Sequence, residues 1–164
     1  MSRNKDKKSA RHPETLAVHA GLQPDPATGA VMTPIYQTST FAQSDVAQHK
    51  GYEYARTDNP TRTALQEALA TLEGGQFALA FASGMAAIDA LLRLVKPGDH
   101  VVAGDDLYGG TYRLFQQILT EYGLHFQFVN TTDLEAVESA VGENTRLVWL
   151  ETPTNPLLKL TDIE

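Results

Sequence analysis

Apolar positions in the last two thirds of the chain recur either at helical spacing or in short runs. Leu65, Ala68, Leu69 and Leu72 fall three, four and seven residues apart, the stripe that one face of an α-helix presents. Asn59 is a suitable N-cap for that helix and Pro60 suits its first turn, while Gly74-Gly75 stops it. The apolar run 77–82 reads as a buried strand that breaks at Ser83-Gly84 and continues as a helix over 85–95. Pro97-Gly98-Asp99 marks a turn, 100–103 a short strand, and 110–122 a helix with Tyr112, Phe115, Ile118 and Leu119 on one side. Gly123 ends it, and 125–129 is the next strand. Thr132-Asp133-Leu134-Glu135 reads as a capping box opening a helix to Val141, and 146–150 as a strand ending at Glu151. Strands alternating with helices predict an α/β domain with a mainly parallel sheet and helices on both faces.

The first third has no such pattern. Residues 14–50 are rich in Pro, Gly, Thr and Gln and predict an irregular arm, which is either an element that packs on a second subunit or a loose linker. Residues 2–11 are basic and polar and are expected to be a disordered tail. The predicted division is therefore tail and arm over 1–59 and the α/β domain from 60 onward.

Composition narrows the function classes. The chain has 164 residues and a net charge of −7, which argues against a general nucleic-acid binder. It contains no cysteine, which removes disulfides, cysteine-ligated zinc and thiol chemistry and fits a cytoplasmic location. No apolar run approaches the roughly 20 residues of a membrane span, so no membrane partner is expected. The five histidines lack ligand spacing, so no metal is expected. There is no G-x-G-x-x-G, Walker A, G-x-S-x-G or H-E-x-x-H motif.

In α/β sheets ligands bind beyond the carboxyl ends of the strands. Three loops sit at such ends: Ser83-Gly84, the stretch 105–110, and the stretch 151–155. Ser83, Gly84 and Met85 form a small-residue turn into a helix, where free N–H groups and the helix dipole can seat an anion; a tight turn needing small residues is the alternative. Tyr54 and Arg56 alternate with Glu53 and Ala55, so in an extended segment they face the same way and can clamp a phosphate. Tyr108, in a Gly-flanked loop, offers a flat ring for stacking on an aromatic ligand. Arg113 lies one helical turn further on and can meet a carboxylate. Glu151 and Asn155 flank Pro153 in a stiff loop that presents an amide, and Asp105-Asp106 form an acidic pair with no other sign of a metal. Each of these has an ordinary surface or turn role as its alternative.

Together these residues resemble the transsulfuration, or Cys/Met-metabolism, family of pyridoxal-phosphate enzymes. The resemblance runs from about Thr15 to the last residue. It is carried by Tyr52-Glu53-Tyr54-Ala55-Arg56, then Asn59-Pro60-Thr61-Arg62, then Ala82-Ser83-Gly84-Met85-Ala86-Ala87, then Tyr108-Gly109-Gly110-Thr111, then Glu151-Thr152-Pro153-Thr154-Asn155-Pro156. It implies a fold like the large domain of fold-type I enzymes, with pyridoxal 5′-phosphate as cofactor. By that resemblance Gly84 and Met85, with Ser83 beside them, hold the phosphate through backbone N–H groups. Tyr54 and Arg56 reach the same phosphate from the neighbouring subunit. Tyr108 stacks on the pyridine ring and assists proton transfer, and Asn155 hydrogen-bonds the 3-hydroxyl oxygen. Arg113, with Tyr54 and Tyr108, contacts an amino-acid substrate. A homotetramer built as a dimer of active dimers is implied.

The resemblance also predicts what falls outside this sequence. The lysine that anchors the cofactor and the aspartate that pairs with its ring nitrogen lie downstream of the Glu151–Pro156 motif in the family, past Glu164, so the chain is expected to be the N-terminal part of a larger enzyme. The implied reaction is γ-elimination of cystathionine to cysteine, 2-oxobutanoate and ammonia. The γ-synthase and methionine γ-lyase reactions stay open, as do an inactive interaction fragment and an unrelated phosphate-binding module.

Overall fold

A computed structural model describes residues 12–163 of the chain; the tail expected over 2–11 lies outside them. Contacts divide the chain into two compact units, Met1–Ala80 and Phe81–Glu164. The first unit includes the helix beginning at Pro60, which packs with the arm.

In the first unit, α1 spans Pro13–His19 and α2 spans Pro60–Leu72. Helix α2 starts as expected: the Asn59 side chain accepts from the Thr61 N–H at 2.9 Å and Pro60 occupies the first turn. Helix α1 was not anticipated, since seven residues with no buried side chain carry no apolar stripe. It packs on α2. Gly21, at φ +71°, lets the chain leave α1 close against α2, where a Cβ would collide with the Ala64 carbonyl oxygen.

The arm is ordered by hydrogen bonds. The Asp25 carboxylate, on a residue only 8% exposed, accepts from the Ala27 and Thr28 N–H groups, the Thr28 hydroxyl and the Tyr36 hydroxyl at 2.8–3.1 Å. These bonds, the Thr28 hydroxyl foremost and then Tyr36, hold Asp25 below the usual carboxylate range; the same contact pushes the Tyr36 phenol up. The Thr61 hydroxyl donates to the Pro34 carbonyl at 2.9 Å and accepts from the Tyr36 N–H at 3.0 Å, while the Asn59 amide donates to the Tyr36 carbonyl at 3.0 Å. The irregular arm is thus laced to the start of α2 within its own chain.

The second unit is an α/β domain. Helix α3 (Gly84–Leu92) leads to β1 (His100–Gly104), then α4 (Gly109–Arg113), which runs into a π-helical turn at Leu114–Leu119. Next come β2 (His125–Val129), α5 (Leu134–Ala140) and β3 (Thr145–Trp149). The three strands are parallel in the order β2-β1-β3, with Val101 opposite Phe126 and Leu147, and Ala103 opposite Phe128 and Trp149. Those side chains share one face with Leu92, Leu107, Leu114, Phe115, Leu119 and Leu124. Phe115 is fully buried, stacked on Phe126 at 4.7 Å and met edge-on by Trp149 at 5.8 Å. Val102, also fully buried, points to the opposite face, as a two-residue period requires.

Three expectations are corrected. Residues 77–82 form no strand: Phe77, Leu79 and Phe81 are 78%, 68% and 46% exposed, and among the described residues no neighbouring strand offers a ladder. An apolar run is only a candidate until a partner pairs with it. The helix expected over 110–122 is α-helical only to Arg113, beyond which the bonds lengthen to five residues, as from the Thr120 N–H to the Phe115 carbonyl at 3.2 Å. Helix α5 is capped by Asp133, which accepts from the Ala136 N–H at 3.1 Å, and not by Thr132. No helix among the described residues is long and apolar enough to cross a membrane.

Candidate functional site

The carboxyl ends of β1 and β3 and the start of α3 carry the chemistry of the second unit. Helix α3 opens at Ser83, whose side chain accepts from the Ala86 N–H at 3.1 Å. The N–H groups of Gly84 and Met85, earlier in the same turn, have no partner among the described residues. A Cβ placed on Gly84 would meet nothing within 4 Å, so the approach to these donors is open. Two free N–H groups at the positive end of a nine-residue helix favour an anion.

Tyr108 leaves β1 as the N-cap of α4, with its side chain about half exposed. Its ring lies against Gly110: a Cβ there would overlap Tyr108 Cε1 and stand 3.0 Å from Met85 Sδ. The ring therefore rests beside the first turn of α3, and it does so because residue 110 has no side chain. Arg113 is exposed, and its Nη1 is 3.5 Å from where a Cβ on Gly109 would stand. Its guanidinium has no acidic partner among the described residues.

Asn155 is exposed, and its amide has no partner among the described residues. The loop that carries it is held by two carboxylates. Asp106, 7% exposed, accepts from the Thr154 hydroxyl and from the Leu157 N–H at 3.1 Å. Glu151 reaches the other way, accepting from the Tyr108 N–H at 2.9 Å, the Thr111 hydroxyl at 3.1 Å and the Trp149 indole N–H at 3.4 Å. Lys159 adds an ion pair to Asp105 at 2.9 Å. So the loop after β1 and the loop after β3 grip one another, which fixes Asn155 relative to Tyr108.

Tyr54 and Arg56 belong to the first unit. Tyr54 forms an isolated antiparallel bridge with Thr40, and the chain then turns, with the Thr57 N–H and hydroxyl donating to the Tyr54 carbonyl at 3.0 and 2.7 Å. Arg62 on α2 stiffens this turn through the Ala55 and Thr57 carbonyls at 3.2 and 2.6 Å. The two side chains meet at a turn: Arg56 Cζ lies 4.8 Å from the Tyr54 ring centroid. Arg56 has no carboxylate partner among the described residues, so its charge is available to an anion.

The structure thus gathers Ser83, Gly84, Met85, Tyr108, Arg113 and Asn155 in one unit, and Tyr54 with Arg56 in the other. The Asp106 and Glu151 clasps were not foreseen, since they join residues 48 and 43 positions apart. The one signal was the acidic pair at 105–106, which had no evident metal to serve. Among the described residues no group of three or more His, Asp or Glu is arranged to hold a metal.

The chain is similar to known proteins over most of its length. The family described as Cys/Met metabolism PLP-dependent enzyme matches residues 14–164. A probable cystathionine gamma-synthase of Herpetosiphon aurantiacus is 62% identical over 91% of this chain and 47% of its own. A cystathionine beta-lyase of Coxiella burnetii is 52% identical over 99% of this chain and 42% of its own. The crystal structure of cystathionine gamma-lyase from Lactobacillus plantarum complexed with L-serine superposes with a TM-score of 0.86 at 48% identity, covering 92% of this chain and 39% of that one. The chain spans less than half the length of the curated relatives it matches.

Proposed function

We propose, from the fact that the chain belongs to the Cys/Met-metabolism family of pyridoxal-phosphate-dependent enzymes, that it builds one side of a site that cleaves or forms the carbon–sulfur bond of cystathionine. The observation that carries this reading is the pair of unpartnered N–H groups at Gly84 and Met85 beside the Tyr108 ring. That juxtaposition suits a ligand joining a phosphate to a flat aromatic ring, which is the shape of pyridoxal phosphate.

When bound, the cofactor supplies an electron sink for the charge left on the substrate α-carbon. The Gly84 and Met85 N–H groups hold the phosphate, and the Ser83 cap keeps them aimed outward. The exposed face of Tyr108 stacks on the ring, and its phenolic oxygen accepts and returns a proton. The Asn155 amide donates to the 3-hydroxyl oxygen. Arg113 pairs with the carboxylate of an amino-acid substrate. Tyr54 and Arg56, with the guanidinium uncommitted, add a phenol and a fixed positive charge to the phosphate of a second copy's site. A homotetramer built of such dimers, in the cytoplasm, completes the reading.

Within this reading γ-elimination is the reaction: cystathionine and water give cysteine, 2-oxobutanoate and ammonia. The γ-synthase direction stands beside it, favoured by the 62% identity to a probable cystathionine gamma-synthase. Supplying cystathionine with pyridoxal phosphate, and separately cysteine with an activated homoserine ester, distinguishes them. Release of 2-oxobutanoate marks the lyase, and new cystathionine marks the synthase. Tested in a protein that covers the full length of the relatives, the absence of both products would contradict the assignment of a carbon–sulfur enzyme.

A further inference from the structure

We propose that Glu151 is a positioning residue that sets where the Tyr108 ring stands. The inference deepens the reading above and rests on it for the identity of the ligand. Glu151 lies in the loop just past the end of β3, and both of its oxygens are committed. Oε2 accepts from the Tyr108 backbone N–H at 2.9 Å, and Oε1 accepts from the Thr111 hydroxyl at 3.1 Å and the Trp149 indole at 3.4 Å. Tyr108 and Thr111 are the N-cap and third residue of α4, so one carboxylate grips the first turn of that helix at two points. Thr111 is fully buried and Tyr108 is half exposed, so the grip ties the exposed ring's backbone to a fixed interior point.

The Tyr108 backbone N–H faces Glu151 while its ring leans on Gly110 toward Met85. The backbone is anchored on one side and Gly110 lies against the ring, so the half-exposed side chain is limited on that face. A carboxylate suits this task because all three partners are donors, and only an acceptor with two oxygens serves them together. Glutamine keeps one carbonyl oxygen and turns an NH₂ donor toward at least one of the three N–H or O–H groups. Asp106 holds the same two loops from the other side, through the Thr154 hydroxyl and the Leu157 N–H. Loss of Glu151 therefore loosens Tyr108 without parting the loops.

The test compares the unaltered chain with Glu151→Gln and, as a milder second variant, Thr111→Val. Amide hydrogen exchange at Tyr108 is read without ligand, and affinities for pyridoxal phosphate and for inorganic phosphate are read separately. Exchange at Tyr108 is expected to quicken about tenfold in Glu151→Gln. Affinity for pyridoxal phosphate is expected to fall about tenfold while affinity for inorganic phosphate at Gly84 and Met85 stays unchanged, because only ring stacking depends on Tyr108. A purely structural role would weaken both ligands together, and that result overturns the proposal. Unchanged exchange at Tyr108 in Glu151→Gln also overturns it, whatever the ligands do. Should the unaltered chain fail to take pyridoxal phosphate, the functional reading falls, while the exchange measurement still judges the Glu151 role by itself.

Discussion

Thr154 donates its hydroxyl to the Asp106 carboxylate across 48 positions of sequence, with both residues buried. That bond joins the loop after β1 to the loop after β3. The same carboxylate oxygen also accepts from the Leu157 N–H at 3.1 Å, so Asp106 is the anchor of the Asn155 loop.

Asp106→Ala leaves the Thr154 hydroxyl and the Leu157 N–H without their acceptor. A buried polar group that loses its partner costs about 1–3 kcal/mol. Denaturant titration is expected to show a loss in that range, with heightened proteolysis in 151–159. Thr154→Val removes the donor to Asp106 and also the acceptor of the Lys159 N–H at 2.8 Å, while leaving Asp106 the Leu157 bond, and is expected to cost a similar amount.

Gly110→Ala tests how the site is packed. The new Cβ would overlap Tyr108 Cε1, so the ring must swing away from Met85. Far-UV circular dichroism is expected to be unchanged, while pyridoxal phosphate affinity falls about tenfold, equivalent to about 1.4 kcal/mol. Retained affinity would mean that the ligand does not use the Tyr108 face.

Phe115→Ala probes the core that supports both loops. The side chain is fully buried between Phe126 and Trp149. Large-to-small changes of this kind cost about 3–5 kcal/mol, which denaturant titration followed by Trp149 emission would measure.

Asp25 gives the first unit a pH dependence whose direction follows from its environment. Its folded pKa is lowered, chiefly by the Thr28 hydroxyl and then by Tyr36. Its stabilising contribution is therefore fully present above the unfolded value of about 3.9 and is lost as pH falls through the lower folded value. Tyr36 is raised, so its contribution is present below about pH 10 and is lost as pH climbs through the higher folded value. Asp25→Asn is expected to be less stable than the unaltered chain at pH 7, with the gap closing below about pH 4. A constant gap across that range would contradict the assignment.

Much of this architecture could be read along the chain, and the exceptions have physical causes. The strands at β1, β2 and β3 lie within one residue of their expected bounds, because each is a short apolar run between clear turn signals. The Asn59-Pro60 start of α2 was legible because capping is local. The segment 77–82 was misread because its apolar residues look like a strand, and pairing is a property of two segments. Helix α1 was missed because it has no apolar stripe, and the order of the arm because Asp25–Tyr36 and Thr61–Pro34 are polar contacts between separated residues that leave no periodicity. At the site, Tyr108 and Asn155 stood out by residue type and by their place beyond strand ends, while Ser83-Gly84-Met85 stood out as a small-residue turn into a helix although the strand expected before it is absent. Glu151 and Asp106 stood out only as an acid beside Pro153 and as half of an acidic pair; their grip on another loop was not legible, because nothing in their own neighbourhood records that partner.

The seat at Gly84 and Met85 is tested most directly by following their backbone amide resonances while titrating the chain with pyridoxal phosphate and, in parallel, with pyridoxal. Both amides are expected to move downfield with the phosphorylated compound alone, with Tyr108 ring resonances shifting at the same concentration. Shifts that are the same for both compounds, or that leave residues 84 and 85 untouched, would contradict it.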